Sequence, residues 1–300
     1  TGETYLRIVQ AVSEAVPGMH VHAFSPLEVW QGAATAGLPL EDFLRRLKDA
    51  GLGTLPGTAA EMLDDEVRAV LCPDKIDTAQ WLQVMETAHR VGLRSTATIM
   101  FGHIERPVHW ARHLLRLREL QKRTRGFTEF VPLPFVHMEA PLYLKGRARK
   151  GPTFREALLM HAVARLALFP HFRHVQASWV KLGPEGVRAA LAAGASDLGG
   201  TLMNESISRA AGTQHGQELP PAAMRELITG AGRPVRQRDT LYREVPAEVQ
   251  SRGLHAPALS ATVNTPVRAA PREGRGLRRS VVPLVRHTAP APCPSLLETS

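Results

Sequence analysis

Short runs of β-type residues alternate with longer amphipathic runs along most of the chain. The β-type runs are His20–Ser25, Gly53–Pro56, Ser95–Phe101, Thr128–Leu133, Val175–Val180 and Leu198–Leu202. Between them apolar residues recur at helical spacing. Leu40–Ala50 puts Phe43, Leu44 and Leu47 on one face. Ala79–Val91 does the same with Trp81, Leu82, Met85 and Ala88, and Val108–Gln121 with Ala111, Leu114, Leu115 and Leu117. Phe154–Leu168 and Pro184–Ala193 follow. Gly51, Gly92 and Gly194 stand where helix C-caps belong. Pro184 and Pro221 stand where a first helical turn belongs. Strand–helix alternation of this kind predicts an α/β fold with a parallel sheet covered by helices. Six βα units are visible, against the eight of a (βα)8 TIM-type barrel. A partial barrel is preferred over an open doubly wound sheet, because polar residues recur at the C-terminal ends of the strands, where barrel sites assemble. The opening TGETYLRIVQAV already reads as mid-helix, with Tyr5, Ile8, Val9 and Val12 on one face. The expectation is a chain that begins inside a fold.

Residues 251–300 break the pattern. They hold seven prolines, seven arginines and two glutamates, with no sustained apolar period. They supply five of the nine net positive charges. Such a segment cannot bury enough surface to offset its chain entropy. Residues 247–300 are therefore expected to be a disordered Pro/Arg-rich tail, with a translated frameshift as the alternative, and 1–246 the barrel. The basic balance is largely a property of the tail. The tail lacks interleaved aromatics for base stacking, so no nucleic-acid partner is expected. No apolar stretch approaches the length of a membrane span, so no membrane partner is expected either. Two cysteines, Cys72 and Cys293, exclude a disulfide scaffold and fit a reducing compartment, which predicts a cytoplasmic protein.

Candidate chemistry gathers at the strand ends. Leu55–Glu61 (LPGTAAE) carries Thr58 and Glu61. A carboxylate there can accept two hydrogen bonds or pair with an ammonium, or simply precede the next helix. Thr98–Glu105 (TIMFGHIE) places Gly102 and Glu105 in a strand-to-loop turn. His20, His22 and Phe24 alternate onto one face, with Ser25 at the strand end. His22 and Ser25 lie nearer the mouth and are candidate contacts, whereas His20 reads as an internally satisfied histidine. Glu129–His137 (EFVPLPFVH) interrupts its strand with two prolines, which mark an end or bulge, and offers Phe135 as an aromatic wall. Gln176 and Ser178 share a face of one strand and need partners there, in the protein or on a ligand. Trp179 reads as helix-packing core and Lys181 as a surface residue. Asp197–Gly212 (DLGGTLMNESISRAAG) runs from glycines that permit close backbone approach into polar Asn204 and Glu205. The histidines at 89, 109, 113, 161, 171 and 174 read as structural, and Arg209, Arg233, Arg236 and Arg238 as surface charge.

DLGGTLMNESISRAAG, EFVPLPFVH, LPGTAAE and RPVRQRDTLY resemble the radical S-adenosylmethionine enzymes of deazaflavin biosynthesis, the FO synthase family. The resemblance runs from about Thr1 to Tyr242. TIMFGHIE is similar to the strand motif of these enzymes that packs against adenine, with Thr98 where the first glycine of the pattern stands. The resemblance implies a radical S-adenosylmethionine barrel entered at its third strand. It implies two cofactors, S-adenosyl-L-methionine and a 4Fe-4S cluster, with the cluster cysteines upstream of Thr1. It implies transfer of the 4-hydroxybenzyl group of L-tyrosine to 5-amino-6-(D-ribitylamino)uracil, and a second radical S-adenosylmethionine subunit or domain that closes the deazaflavin ring. Glu61, Thr58, Gly102, Glu105 and Ser25 become candidate cofactor contacts. His22, Phe135, Gln176, Ser178, Asn204 and Glu205 become candidate substrate contacts. These 300 residues alone would be inactive. The alternatives are a menaquinone-pathway relative of the aminofutalosine synthase or futalosine cyclase type, and an inactive truncated barrel.

Overall fold

The apolar faces converge on a parallel sheet. The computed structural model describes residues 1–202 and 204–257. Strands β1 (Val21–His22), β2 (Leu52–Leu55), β3 (Arg94–Phe101) and β4 (Phe127–Pro134) lie side by side in that order, each pair parallel. The helices are α1 (Gly2–Ala15), α2 (Pro26–Ala36), α3 (Leu40–Asp49), α4 (Asp65–Leu71), α5 (Thr78–Arg90), α6 (Pro107–Thr124), α7 (Pro141–Leu144), α8 (Phe154–Leu168), α9 (Trp179–Ala192), α10 (Ile207–Ala210), α11 (Pro221–Gly230) and α12 (Ala247–His255). Reciprocal capping boxes start α2 (Ser25 with Glu28), α5 (Asp77 with Gln80) and α8 (Thr153 with Glu156). The predicted helix faces form the core. Trp81, Met85, Leu114 and Leu117 pack on Ile99, Phe101, Phe127 and Phe130 of the sheet, and Phe43, Leu44 and Leu47 close a second cluster over β2. Each such side chain contributes about 1.5–3 kcal/mol when fully buried.

Beyond β4 the order continues through two isolated parallel bridges, Phe130 with Val175 and Gln176 with Asp197. All six expected strand positions are therefore neighbours in one parallel series, but the last two do not form continuous strands. The prolines of β4 explain the shortening. Phe130 donates its N–H to His174 O, so residues 130, 132 and 134 direct their amide positions toward the fifth strand position. Pro132 and Pro134 have no N–H to give there. The chain leaves after Ala177 and enters α9 at Trp179, which corrects the expected strand Val175–Val180. On the other side β4 keeps its ladder with β3 as far as Pro134, and Phe135 N–H bonds Phe101 O at 2.8 Å. The prolines thus do not end β4 itself. At the sixth position the Asp197 carboxylate accepts the N–H of Gly199 at 2.6 Å, and Gly199 takes φ 73° to make the turn. This local turn replaces the expected strand Leu198–Leu202.

Residues 238–244 close the opposite end of the sheet. Arg238, read from the sequence as surface charge, pairs with both oxygens of Asp197 at 2.8 and 2.9 Å and lies 3.4 Å from Glu129 Oε2. Its guanidinium sits 4.2 Å over the Tyr242 ring. The Tyr242 hydroxyl donates to Glu129 Oε2 at 2.8 Å, and its ring stacks on His174. Burial, then the neighbouring Asp197, push the Glu129 carboxyl up, opposed by Arg238. Arg209, also read as surface charge, is buried and bonds Gln217 Oε1 at 2.9 Å. Helix α12 lies within the stretch assigned to the tail, so regular structure extends past 246; residues 258–300 lie outside the described residues.

Candidate functional site

Because the strands are parallel, every loop that follows a strand emerges at the same end of the sheet. Among the described residues six non-glycines take positive φ: Phe24, Ala59, Glu61 and Leu202 (64°, 57°, 45° and 50°) follow strand positions, whereas Arg125 and Tyr242 (53° and 63°) lie at the other end. Such conformations cost about 1–3 kcal/mol each and persist where the surroundings fix them, often at binding sites.

The loop after β2 is clamped to β3. Gly57 N–H bonds Thr96 Oγ1 at 2.7 Å, and Gly57 O accepts from Thr98 Oγ1 at 2.5 Å. A Cβ at Gly57 would stand 2.4 Å from Thr96 O, so only glycine permits this approach. Glu61 O receives Met100 N–H at 2.7 Å, which brings Glu61 beside the end of β3. Its Oε1 pairs with Lys75 at 2.7 Å, and the side chain keeps 19% exposure. Thr58 is exposed and holds Trp81 Nε1–H through its carbonyl.

Glu105 is placed differently from expectation. Its carboxylate is fully enclosed and accepts N–H bonds from Gly102, His103 and Trp110 Nε1. Arg149 lies 3.5 Å away. Burial opposes its ionisation, but His103, Gly102 and Trp110 outweigh that and hold the carboxyl far below its usual range. Glu105 therefore shapes the turn after β3. The open side of Gly102 is covered by Gly151 and Pro152, whose Cδ would lie 2.2 Å from a Cβ there. Ser25 is committed to its capping box, its hydroxyl 2.8 Å from Glu28 Oε2. Gln176 donates to Glu129 Oε2 at 2.9 Å, so its partner is inside the protein and away from the mouth. Ser178 is the buried N-cap position of α9, and its carbonyl receives Lys181 N–H.

His22 lies toward the end where the strands start: its Nδ1 is 2.7 Å from Thr54 Oγ1, which also bonds His20 Nε2 at 2.8 Å, Thr54 pairs with Arg94 at the start of β3, and Arg238 acts on the imidazole. Three candidates remain with groups open at the mouth. Phe135 is half-buried, edge-on to the His103 ring at 6.0 Å. Asn204 is exposed, and Glu205 is half-buried with both oxygens on Ser208 N–H at 3.1 and 3.0 Å. The loop after β4 packs on this last segment through Glu139 N–H to Ala211 O at 3.2 Å.

Lys181 belongs with this group, contrary to its surface reading. It stands in the first turn of α9, its Nζ 3.1 Å from Ser208 Oγ. Burial pushes its ammonium down, opposed by Glu205. The signal available in the sequence was its place just past a strand position. Two of the histidines read as structural are held in place within the protein: His113 Nδ1 accepts Leu63 N–H at 2.9 Å, and His89 lies between Thr124 and Ser95.

Comparison with known proteins resolves the lineage. Residues 124–249 match the model of the CofH/MqnC C-terminal region. The FO synthase of Nocardia farcinica is 55% identical over 241 residues, 80% of this chain and 28% of that protein. The 5-amino-6-(D-ribitylamino)uracil–L-tyrosine 4-hydroxyphenyl transferase of Methanothermobacter thermautotrophicus is 48% identical over 241 residues, 80% of this chain and 66% of that protein. The chain belongs to the FO synthase family. It spans little more than a quarter of the length of the FO synthases it matches, such as that of Streptomyces coelicolor, where 53% identity covers 29% of the protein. Among solved structures, methylornithine synthase superposes with TM-score 0.53 at 16% identity, over 78% of this chain and 64% of that one. That likeness concerns the fold, an α/β arrangement on a parallel sheet. The open polar groups of Glu61 and Glu205 lie at the end of the sheet where the strands finish.

Proposed function

We propose that these residues form the substrate-facing part of an enzyme that transfers the 4-hydroxybenzyl group of L-tyrosine to 5-amino-6-(D-ribitylamino)uracil. The observation that carries the reading is the 48% identity to a transferase named for those two substrates, over 80% of this chain. The geometry supports it: the open polar groups of Glu61, Asn204 and Glu205 share one end of the sheet with Phe135, which offers an aromatic ring. Glu61, with one oxygen held by Lys75 and the other open, is the group suited to the ribose hydroxyls or the ammonium of S-adenosyl-L-methionine. Phe135 and Asn204 would line the substrate side. Glu105, Gly102, Ser25, Gln176 and Ser178 would act by holding backbone in place. The second radical S-adenosylmethionine domain implied by the family would complete the deazaflavin ring.

The described residues do not fit an iron–sulfur cluster. Such a cluster needs several thiolates on one loop. Among the described residues only Cys72 carries a thiol; it is buried, and burial pushes its pKa up. No radical-generating step is assigned to these residues, and on their own they should be inert.

The test is a fusion of these residues to the N-terminal third of the Methanothermobacter transferase. A fusion that binds a cluster and cleaves S-adenosyl-L-methionine should convert L-tyrosine and the ribityl-uracil to the coupled product. Cleavage without tyrosine-dependent product would refute the assignment.

A further inference from the structure

We propose that Lys181 and Glu205 form a headgroup site for an α-amino acid, Lys181 taking the carboxylate and Glu205 the ammonium. The inference rests on the proposed function and names the groups that would fix its amino-acid substrate.

Lys181 occupies a single turn, residues 179–182, which Gly183 (φ 65°, ψ 177°) separates from the rest of α9. The ammonium is largely withdrawn from water, and burial lowers its pKa. Its side-chain hydrogen bond is to a neutral group, Ser208 Oγ, at 3.1 Å. An ammonium has three donors, so two remain. Among the described residues no carboxylate lies within ion-pair distance of it. A withdrawn cation of this kind calls for an anion from outside the chain.

Glu205 is near enough to act on the Lys181 charge yet does not pair with it. Ser208 stands between them. Its N–H bonds both oxygens of Glu205, and its hydroxyl bonds Lys181. Ser208 is 4% exposed, so the wedge is fixed by packing. Glu205 N–H is anchored to Gln217 O at 3.0 Å, which holds the carboxylate in place. A carboxylate that spends one lone pair per oxygen on an N–H retains others for a second donor. The result is a cation and an anion held apart by one small residue at the ligand end of the sheet. An α-amino acid carries its carboxylate and ammonium on one carbon and can bridge that gap with both charges matched. The neighbouring loop after β4 carries Phe135, which can receive the side chain of such a ligand.

The test is equilibrium dialysis of the full chain against radiolabelled L-tyrosine, tyramine, which lacks the carboxylate, and 3-(4-hydroxyphenyl)propionate, which lacks the amine. In the unmodified chain both truncated ligands should bind at least tenfold more weakly than tyrosine. K181M should weaken tyrosine and the propionate at least tenfold and leave tyramine within twofold. E205Q should weaken tyrosine and tyramine and spare the propionate. K181R keeps the charge and should retain binding to within a few-fold, which guards against a K181M chain that fails to fold. Equal binding of tyrosine and tyramine by the unmodified chain, tyrosine binding by folded K181M at the unmodified level, or absence of α-amino-acid binding would overturn the proposal. Binding of a different α-amino acid in preference to tyrosine, still lost in K181M, would support the headgroup site while refuting the tyrosine reading.

Discussion

Replacing Arg238 by alanine tests the charge network that closes the sheet. The guanidinium is bonded to Asp197 and lies against Glu129, whose side chains are 9% and 7% exposed. Deleting one partner of a buried ion pair costs about 3–5 kcal/mol, because the other charge stays buried. Arg238 retains 24% exposure, and water entering its place would offset part of that, so the lower end, about 3 kcal/mol, is expected at pH 8. For a domain of this size that corresponds to a fall of roughly 6–12 °C in Tm. The deficit should depend on pH with a definite sign. Glu129 has a raised folded-state pKa, so the folded state binds its proton more tightly than the unfolded chain. Its ionisation therefore removes stability as pH rises above the unfolded carboxylate range. Without Arg238 the folded value rises further, and the penalty extends to higher pH. R238A should accordingly be less handicapped at pH 5 than at pH 8. Urea unfolding at both pH values, followed by circular dichroism with m-values compared, measures this. A deficit under about 0.5 kcal/mol at pH 8, the usual scatter of surface substitutions, or the same deficit at both pH values, would show that the network does not act as described.

Three further substitutions probe the strands and the loops that follow them. E105Q removes a charge that accepts three N–H bonds and should cost about 1.5–3 kcal/mol at pH 7; because the folded pKa is depressed, the difference from the unmodified chain should shrink as pH falls through and below the ordinary carboxylate range, in acid-unfolding curves. G57A forces a Cβ against Thr96 O and should lose about 1–3 kcal/mol by thermal unfolding, whereas an unchanged midpoint would mean that the loop after β2 is free to move. T54V deletes the hydroxyl shared by His20 and His22 and should cost about 1–2 kcal/mol, with chemical-shift changes at both imidazoles; silence at either ring would contradict the shared bond.

Much of the fold was readable because it rests on local periodicity. Phe43, Leu44 and Leu47, and Trp81 and Met85, are core for the reason their spacing gives: one helix face meets the sheet. The glycine caps and Pro221 at the start of α11 were readable because they answer to backbone geometry alone, whereas Pro184 follows a kink at Gly183 inside α9. The fifth and sixth strand positions were misread because their pairing depends on a neighbour. Val175–Val180 has strand-like composition, but its ladder fails where Pro132 and Pro134 of β4 offer it no N–H. The prolines were seen; their effect falls on the adjacent strand, about 45 residues later in the chain, where composition carries no trace of it. The same distance effect hid Arg238. A charge between polar neighbours reads as surface, and only the fold brings Asp197 and Glu129 to it. Lys181 escaped for the same reason, since Ser208 and Glu205 reach it across a loop.

The two ends of the sheet divide the work. At the end from which the strands start, charge is paired inward: Arg238 with Asp197 and Glu129, Gln176 with Glu129, Tyr242 on His174. These groups have intramolecular partners, so they contribute stability, while Arg94, Arg125 and Arg173 line an open cavity at the same end. At the end where the strands finish, the pairing is incomplete by construction. Glu61 sits at positive φ with one carboxylate oxygen open, and Lys181 carries a desolvated charge beside a neutral hydroxyl. Groups such as Glu105 and Ser25, which the sequence offered as ligand contacts, spend their polar atoms holding these strained loops in shape. The arrangement is consistent with a protein whose stability is secured at one face so that the other can keep unmet polar groups at fixed positions. The unmet groups, rather than the most buried or most perturbed ones, are therefore where ligand recognition in this family member is to be sought.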